Sequence, residues 1–325
     1  MTPEDLTAAP VRIGTRRSRL ALWQAHHVRD RLLERWGDAL VVELVEIETD
    51  GDRIQDRPLH QIGGKGLFVN AIEERLAEGD IDLAVHSMKD LPGALAPGMI
   101  IAATPPREDP RDVLVLRTGL DPRLGLDALG RGMVVGTTSL RRGALLRRLR
   151  PGVEIAPLRG NVPTRLRKLD EPGEGPALDA IVLAAAGLVR LGLRHRIDVA
   201  LDPESFCPAA TQGILALECR GDDPRLRALL APLNDEDAAD MAAAERAFLA
   251  RLEGGCQVPM GCHAVLHDGR VRVAGVVADP SGRPYFEASR DGARKDAAAI
   301  GQALAEELLE LGADKVLAAL AHPEP

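Results

Sequence analysis

The sequence predicts an α/β protein whose main sheets are largely parallel. Short apolar runs alternate with segments of helical period, the signature of strands joined through helices. Two segments rich in proline and charge, Thr104–Asp112 and Leu201–Pro208, bracket about 100 residues that repeat this alternation. Two crossings between one pair of domains suit a hinged clamshell, in which the second crossing returns the chain to the first domain.

The elements follow in order. Val11–Gly14 reads as a strand and Ser18–Trp36 as the helix behind it. Val41–Glu48 is a second strand, Phe68–Glu78 a helix, and Ile81–Val85 a short buried strand. Met133–Gly136 is a strand feeding a helix at Ser139–Leu149, and Ala180–Leu183 is a strand with a helix after it. From about Gly221 the pattern changes. Asp237–Leu252 and Ala297–Leu311 are helical, while Val271–Ala278, the turn Asp279–Gly282 and Tyr285–Ala288 form a hairpin. That composes a small C-terminal α+β domain. The expected division is residues 1–105 completed by 206–224, then 106–205, then 225–325.

A chain of 325 residues is long enough for two or three domains without a stapling metal or disulfide. Apolar residues make up 45% and charged residues 28%, which excludes a disordered chain. No apolar run reaches the ~18 residues of a membrane helix. Met1–Pro10 lacks the basic start and apolar core of a signal peptide, so a cytoplasmic location is expected. The cysteines Cys207, Cys219, Cys256 and Cys262 contain no C-x-x-C pair, so neither structural zinc nor a disulfide framework is expected. Seven aromatics and a net charge of −8 speak against a nucleic-acid surface or an acidic membrane as partner.

The basic residues are nevertheless concentrated. Residues 141–168 hold nine basic side chains against the single acid Glu154, and Arg12, Arg16, Arg17 and Arg19 cluster near the start. Arginine grips carboxylate or phosphate with a planar, bidentate fork. Gly136-Thr-Thr-Ser-Leu-Arg-Arg142 sits where a strand meets a helix, so free N–H groups, the hydroxyls of Thr137, Thr138 and Ser139, and Arg141 with Arg142 compose an anion cradle. Simple capping accounts for the hydroxyls but not for both arginines. Leu158–Asn161, Thr164–Arg167 and Gly14–Ser18 repeat the form. Sites at the carboxyl ends of strands face one crevice in an open α/β sheet, and a ligand with several carboxylates fits them better than one with a single phosphate.

Three further segments carry possible chemistry. Ile81–Pro92 places His86, Ser87, Lys89 and Asp90 just beyond a buried strand, where a carboxylate among basic groups is a candidate for acid–base or cation-stabilising work, or a loop ion pair. Leu252–Gly261 is a tight loop that exposes Cys256, as a nucleophile, an attachment point or an idle thiol. Thr49–Gly66 has no regular period and is expected to be a mobile lid over a cleft. Its Gly63-Gly-Lys-Gly66 fails as a phosphate-binding P-loop, because Leu59 replaces the first glycine and Gly66 the hydroxyl residue.

Together these segments resemble the porphobilinogen deaminase (hydroxymethylbilane synthase) family. The matching runs, in family order, are Thr15–Ala25, Gly63–Phe68, His86–Asp90, Arg107–Asp112, Leu140–Arg142, Leu158–Asn161 and Leu252–Gln257. The resemblance implies two hinged domains like type II periplasmic binding proteins, plus the small third domain. It implies a monomeric transferase of tetrapyrrole and heme biosynthesis. The family joins four porphobilinogen molecules head to tail, releases ammonia, and then frees hydroxymethylbilane by hydrolysis. Its primer is a dipyrromethane cofactor held through a thioether, by motif on Cys256. Asp90 is implied as the catalytic group. Arg16, Ser18, Lys89, Thr137, Ser139, Arg141, Arg142, Arg159, Arg165, Arg190 and Gln212 are implied to hold cofactor and substrate carboxylates, with Lys65 on the mobile loop and no metal. Thr211 stands where the family usually has glycine, Thr138 replaces a common serine, and Cys262 is a second candidate thiol. The rival readings are a non-catalytic ligand-binding module of the same fold, against which Asp90 and the Cys256 loop speak, and a nucleic-acid-binding protein, which rests on the arginines alone.

Overall fold

The computed structural model describes residues 1–48, 69–171, 173, 175–252 and 258–321. In chain order the strands are β1 Val11–Arg16, β2 Val42–Ile47, β3 Leu83–Ser87, β4 Met99–Ala103, β5 Asp112–Leu116, β6 Val134–Gly136, β7 Glu154–Ala156, β8 Ala180–Ala184, β9 Val199–Ala200, β10 Leu215–Arg220, β11 Met260–His267, β12 Arg270–Ala278 and β13 Tyr285–Ala293. The chain divides into two compact units, Met1–Glu108 with Ile214–Ala239, and Asp109–Gly213 with Asp240–Pro325.

The first unit holds a sheet of order β2-β1-β3-β10-β4. β1 is parallel to β2 and β3, whereas β10 runs antiparallel to β3 and β4. The second unit repeats the plan as β7-β6-β8-β5-β9, with β5 antiparallel to its neighbours β8 and β9. The reversed strand of each sheet adjoins a crossing: β5 opens the second unit, and β10 enters the first sheet only after β5–β9 are laid down. A third sheet, β11-β12-β13, is an antiparallel meander in the second unit and packs against the helix Ala297–Leu308.

Local chemistry explains the elements that matter for the site. Ser18 caps the helix Arg19–Trp36 by accepting the Ala21 N–H at 3.2 Å, and the helix buries Gln24, Ala25, Val28 and Leu32 at helical spacing. Ser139 caps Leu140–Leu149 and Asn161 caps Val162–Asp170 in the same way. The helices Glu236–Arg251 and Ala297–Leu308 approach so closely that a Cβ on Gly301 would lie 1.9 Å from the Ala244 carbonyl oxygen. The expected hairpin forms at 279–282, with Ala278 paired to Tyr285.

Neither expected linker is a bare connector. Asp112 opens β5 fully buried, and Thr104 donates its N–H to the Asn234 side chain at 2.9 Å. Leu201 and Phe206 lie in the second unit's core with Leu114 and Val135. Proline and charge set the backbone there, while two apolar side chains anchor it. The helix Pro224–Leu230 packs Leu226, Leu229 and Leu230 into the first unit's core beside Val11 and Leu32. The expected mobile lid at 49–66 lies outside the described residues.

Candidate active site

In the first unit, β3 ends in a single 3₁₀ turn, Met88–Asp90. Three residues per turn send Met88 and then Leu91 inward, 1% and 3% exposed, which leaves Lys89 and Asp90 facing outward. The turn is fastened by the Leu91 N–H on the Met88 carbonyl at 3.1 Å and by the Met88 N–H on the Ile214 carbonyl at 2.9 Å. Asp90 lines a cavity of about 70 Å³ together with Arg16, Ser18, Gln24, His86 and Ser87. Gln24 donates to the Ser87 hydroxyl at 2.7 Å across that wall.

The amino-terminal arginine cluster is divided by the strand that carries it. Arg16, at the end of β1, reaches the cavity. Arg12, four residues earlier and some 13 Å back along an extended chain, grips Asp82 at 2.9–3.0 Å and the Gly79 carbonyl at 2.7 Å. Burial pushes the Asp82 carboxyl up, but Arg12 and Arg220 outweigh it and hold it below the usual range. Arg17 pairs with Glu46 at 3.2 Å on the surface.

In the second unit, Arg141 and Arg142 are interior groups, 5% and 7% exposed. Both meet the fully buried Asp112. Arg141 Nη1 lies 2.7 Å from Oδ2, while Arg142 Nη2 and Nε donate to Oδ1 at 2.7 and 3.0 Å. Arg141 also donates to the Cys207 carbonyl and Arg142 to that of Val182. Gln212 bridges Asp112 Oδ1 at 3.0 Å and the Pro110 carbonyl at 2.8 Å, and Arg190 donates to the Gly213 carbonyl at 2.7 Å. Burial alone would raise the Asp112 carboxyl, yet the two guanidiniums and Gln212 hold it well below the ordinary carboxylate range. One carboxylate against two buried guanidiniums leaves this network cationic.

Of the remaining expected residues, Thr137 is buried, whereas Ser139, Arg159 and Arg165 are half-buried. Thr137 accepts the Ser139 N–H at 3.1 Å, and Ser139 accepts that of Arg142 at 3.4 Å. Arg165 donates to the Gly160 carbonyl at 2.7 Å. Arg159 has a buried Nη2 that meets no hydrogen-bond partner among the described residues. Lys65 and Cys256 fall outside the described residues. Cys207, Cys219 and Cys262 are all buried, and burial pushes the Cys219 thiol up to about 11. Sequence reasoning missed Asp112 as the partner of the arginines, and Glu218 as the partner of His86. An acid inside the apolar run of β10, Leu215-Ala-Leu-Glu-Cys219, was the available signal for Glu218.

Fold and sites together define an α/β protein of two chain-crossed units, each with arginines at its candidate site. Residues 11–228 match the family model described as the porphobilinogen deaminase dipyromethane cofactor binding domain, and residues 239–310 match the porphobilinogen deaminase C-terminal domain. Porphobilinogen deaminase of Syntrophobacter fumaroxidans is 50% identical over 312 residues, covering 96% of this chain and 98% of the relative. That of Syntrophotalea carbinolica is 50% identical over 315 residues, covering 97% of each. Among solved structures, the periplasmic VFT2 domain of Bordetella pertussis BvgS is 15% identical with a TM-score of 0.41, over 74% of this chain and 96% of that one. The chain belongs to the porphobilinogen deaminase family, whose enzymes serve tetrapyrrole synthesis.

The residues present fit a dipyrromethane with acidic arms. The orphaned Nη2 of Arg159 and the cationic excess around Asp112 are the groups that such arms would complete.

Proposed function

We propose that this chain joins four porphobilinogen molecules head to tail on a dipyrromethane held by a thioether on Cys256, and then releases hydroxymethylbilane by hydrolysis. Burial of the other three cysteines supports Cys256 as the attachment point. We further propose a cytoplasmic monomer with a three-domain division.

The bound primer supplies a nucleophilic pyrrole carbon. The chain supplies the remainder. Arg16 and Ser18 receive a substrate carboxylate at the cavity rim, and Lys89, beside Asp90 in the same turn, adds a further cation. The exocyclic carbon–nitrogen bond of porphobilinogen breaks, its electron pair leaves with ammonia, and the cationic methylene-pyrrole that remains is stabilised by the Asp90 carboxylate. Thr137, Ser139, Arg141, Arg142, Arg159, Arg165, Arg190 and Gln212 hold the carboxylates of primer and product, directly or by fixing a neighbour. Each added unit brings two more negative charges, which accounts for the number of cations.

The observation that carries this reading is the cavity in which Arg16, Ser18 and Asp90 converge. The test is Asp90→Asn. Ammonia release from porphobilinogen falls at least about a hundredfold, while the protein keeps the mass increment of its primer. Near-normal ammonia release overturns the role of Asp90.

A further inference from the structure

Within the second unit, the last turn of the helix Leu140–Leu149 meets the turn between β12 and β13. The contact is close. A Cβ on the buried Gly282 would lie 2.8 Å from the Ala144 carbonyl oxygen and 2.9 Å from the Arg148 backbone nitrogen, and Arg147 Nη1 donates to the Pro280 carbonyl at 2.9 Å. Tyr285, at the start of β13, packs against the core around Leu114 and Phe206. The guanidinium carbon of Arg148 stands 3.7 Å from the centre of the Tyr285 ring. A guanidinium so placed lies over the ring face, which holds it and leaves its N–H edge for another partner. Burial, and then Glu287, push the Tyr285 hydroxyl up, so the ring supports that cation as a neutral phenol.

Arg148, Arg283, Pro284 and Tyr285 line an open hollow of about 600 Å³. That is the size range of small-molecule sites, ~300–1,000 Å³. Neither Arg148 nor Arg283 meets a carboxylate among the described residues. Elsewhere in the same unit Arg117, Arg150, Arg196 and Arg290 each pair with an aspartate or a glutamate. The chain holds 49 acids against 41 lysines and arginines, so two guanidiniums facing one hollow without an acid depart from its usual pairing. A helix carboxyl end favours basic side chains through its dipole, which accounts for Arg147 and Arg148 in the last turn. It does not account for Arg283, which comes from another element and faces the same hollow.

We propose that this hollow is a second ligand site, sharing no wall residue with the Asp90 cavity, which takes an organic anion bearing two or more carboxylates. Two planar forks from two elements suit two carboxylates better than one compact anion. Pro284 and the Tyr285 ring supply apolar surface for the carbon skeleton between them. Seating of the turn on the helix fixes both walls before a ligand arrives, which lowers the ordering cost of binding. Such anions have two sources: the pyrroles of the proposed reaction, and the di- and tricarboxylates of general metabolism.

Tyr285 is the only tyrosine of the chain, so ring-¹³C tyrosine gives the holoprotein an NMR signal from this site alone. At ionic strength held constant with potassium chloride, citrate shifts that signal along a saturating curve with a Kd below about 1 mM, and inorganic phosphate binds at least about tenfold more weakly. Arg148→Gln and Arg283→Gln each raise the citrate Kd about tenfold. A drift that does not saturate with citrate overturns the proposal. So does phosphate binding as tight as citrate. Both are read on the wild-type protein, whether or not a variant folds, and neither depends on the role of Asp90. A citrate Kd unchanged in Arg283→Gln, whose side chain lies on the exposed turn, overturns it as well. Porphobilinogen added to Asp90→Asn protein separates the sources: binding tighter than citrate assigns the site to the pyrroles of the reaction, and weaker binding assigns it to a metabolic tricarboxylate.

Discussion

Asp112 and Arg142 meet in the interior of the second unit through two hydrogen bonds to a single oxygen, at 2.7 and 3.0 Å, with Asp112 wholly buried. Arg141 takes the other oxygen at 2.7 Å. Guanidiniums implied to hold ligand are thus held themselves, in a fixed orientation, before any ligand arrives. Such preorganisation removes the cost of ordering long side chains at the moment of binding.

Asp112→Asn leaves two guanidiniums buried without a counterion. The expected cost is about 3–5 kcal/mol of folding stability, because breaking a buried pair strands the remaining charge. Urea unfolding measures it. A loss below about 1 kcal/mol would mean that water or another acid already compensates the arginines.

The same residue governs acid stability, and the sign follows from its depressed folded-state value. The unfolded chain protonates Asp112 near the ordinary aspartate value of about 4, whereas the folded chain resists. Stability from this group is complete above about pH 4 and declines as pH falls below that. The unfolding free energy of the wild-type protein should therefore rise from pH 2 to 4 more steeply than that of Asp112→Asn. Parallel curves contradict this account.

Thr211 is a buried β-branched residue at φ +60°, and its N–H goes to the fully buried Glu245, which also accepts the Ala264 N–H at 2.7 Å. A left-handed backbone costs a residue with a Cβ roughly 1–2 kcal/mol, of which glycine's greater unfolded freedom takes back up to about 1. Thr211→Gly should stabilise the protein by about 0.5–1 kcal/mol in urea unfolding and leave turnover unchanged. Destabilisation would show that the Thr211 hydroxyl, which donates to the Ala210 carbonyl at 2.7 Å, outweighs the strain.

Gly301→Ala tests the packing of the third sheet's helices. The new methyl would overlap the Ala244 carbonyl oxygen, which is backbone and cannot swing aside. Overpacking of this kind costs about 1–3 kcal/mol or more, visible as a lower urea midpoint. An unchanged midpoint would mean that the helix Ala297–Leu308 shifts freely.

Local signals in the sequence were reliable where the chemistry is local. β1, its capped helix and the turn bearing Asp90 follow from apolar runs, a serine at a helix start and the residues beyond a buried strand. What escaped is set by distant partners. Arg12 and Arg16 look alike in sequence, yet strand geometry gives one to Asp82 and the other to the cavity. Asp112 looks like linker charge until Arg141, about 30 residues on, reaches it. Phe206 reads as part of a proline-rich crossing until the core of the second unit closes over it. β10 escaped as well, because its pairing with β3 and β4 is made only after the chain has built another sheet.

The central claim is a primer covalently bound at Cys256, and the intact mass of the protein tests it most directly. Produced in a host that makes porphobilinogen, the wild-type protein and Cys262→Ser should each exceed the chain mass by two pyrrole units, and Cys256→Ser should not. An increment that survives Cys256→Ser, or a wild-type protein with none, contradicts the account.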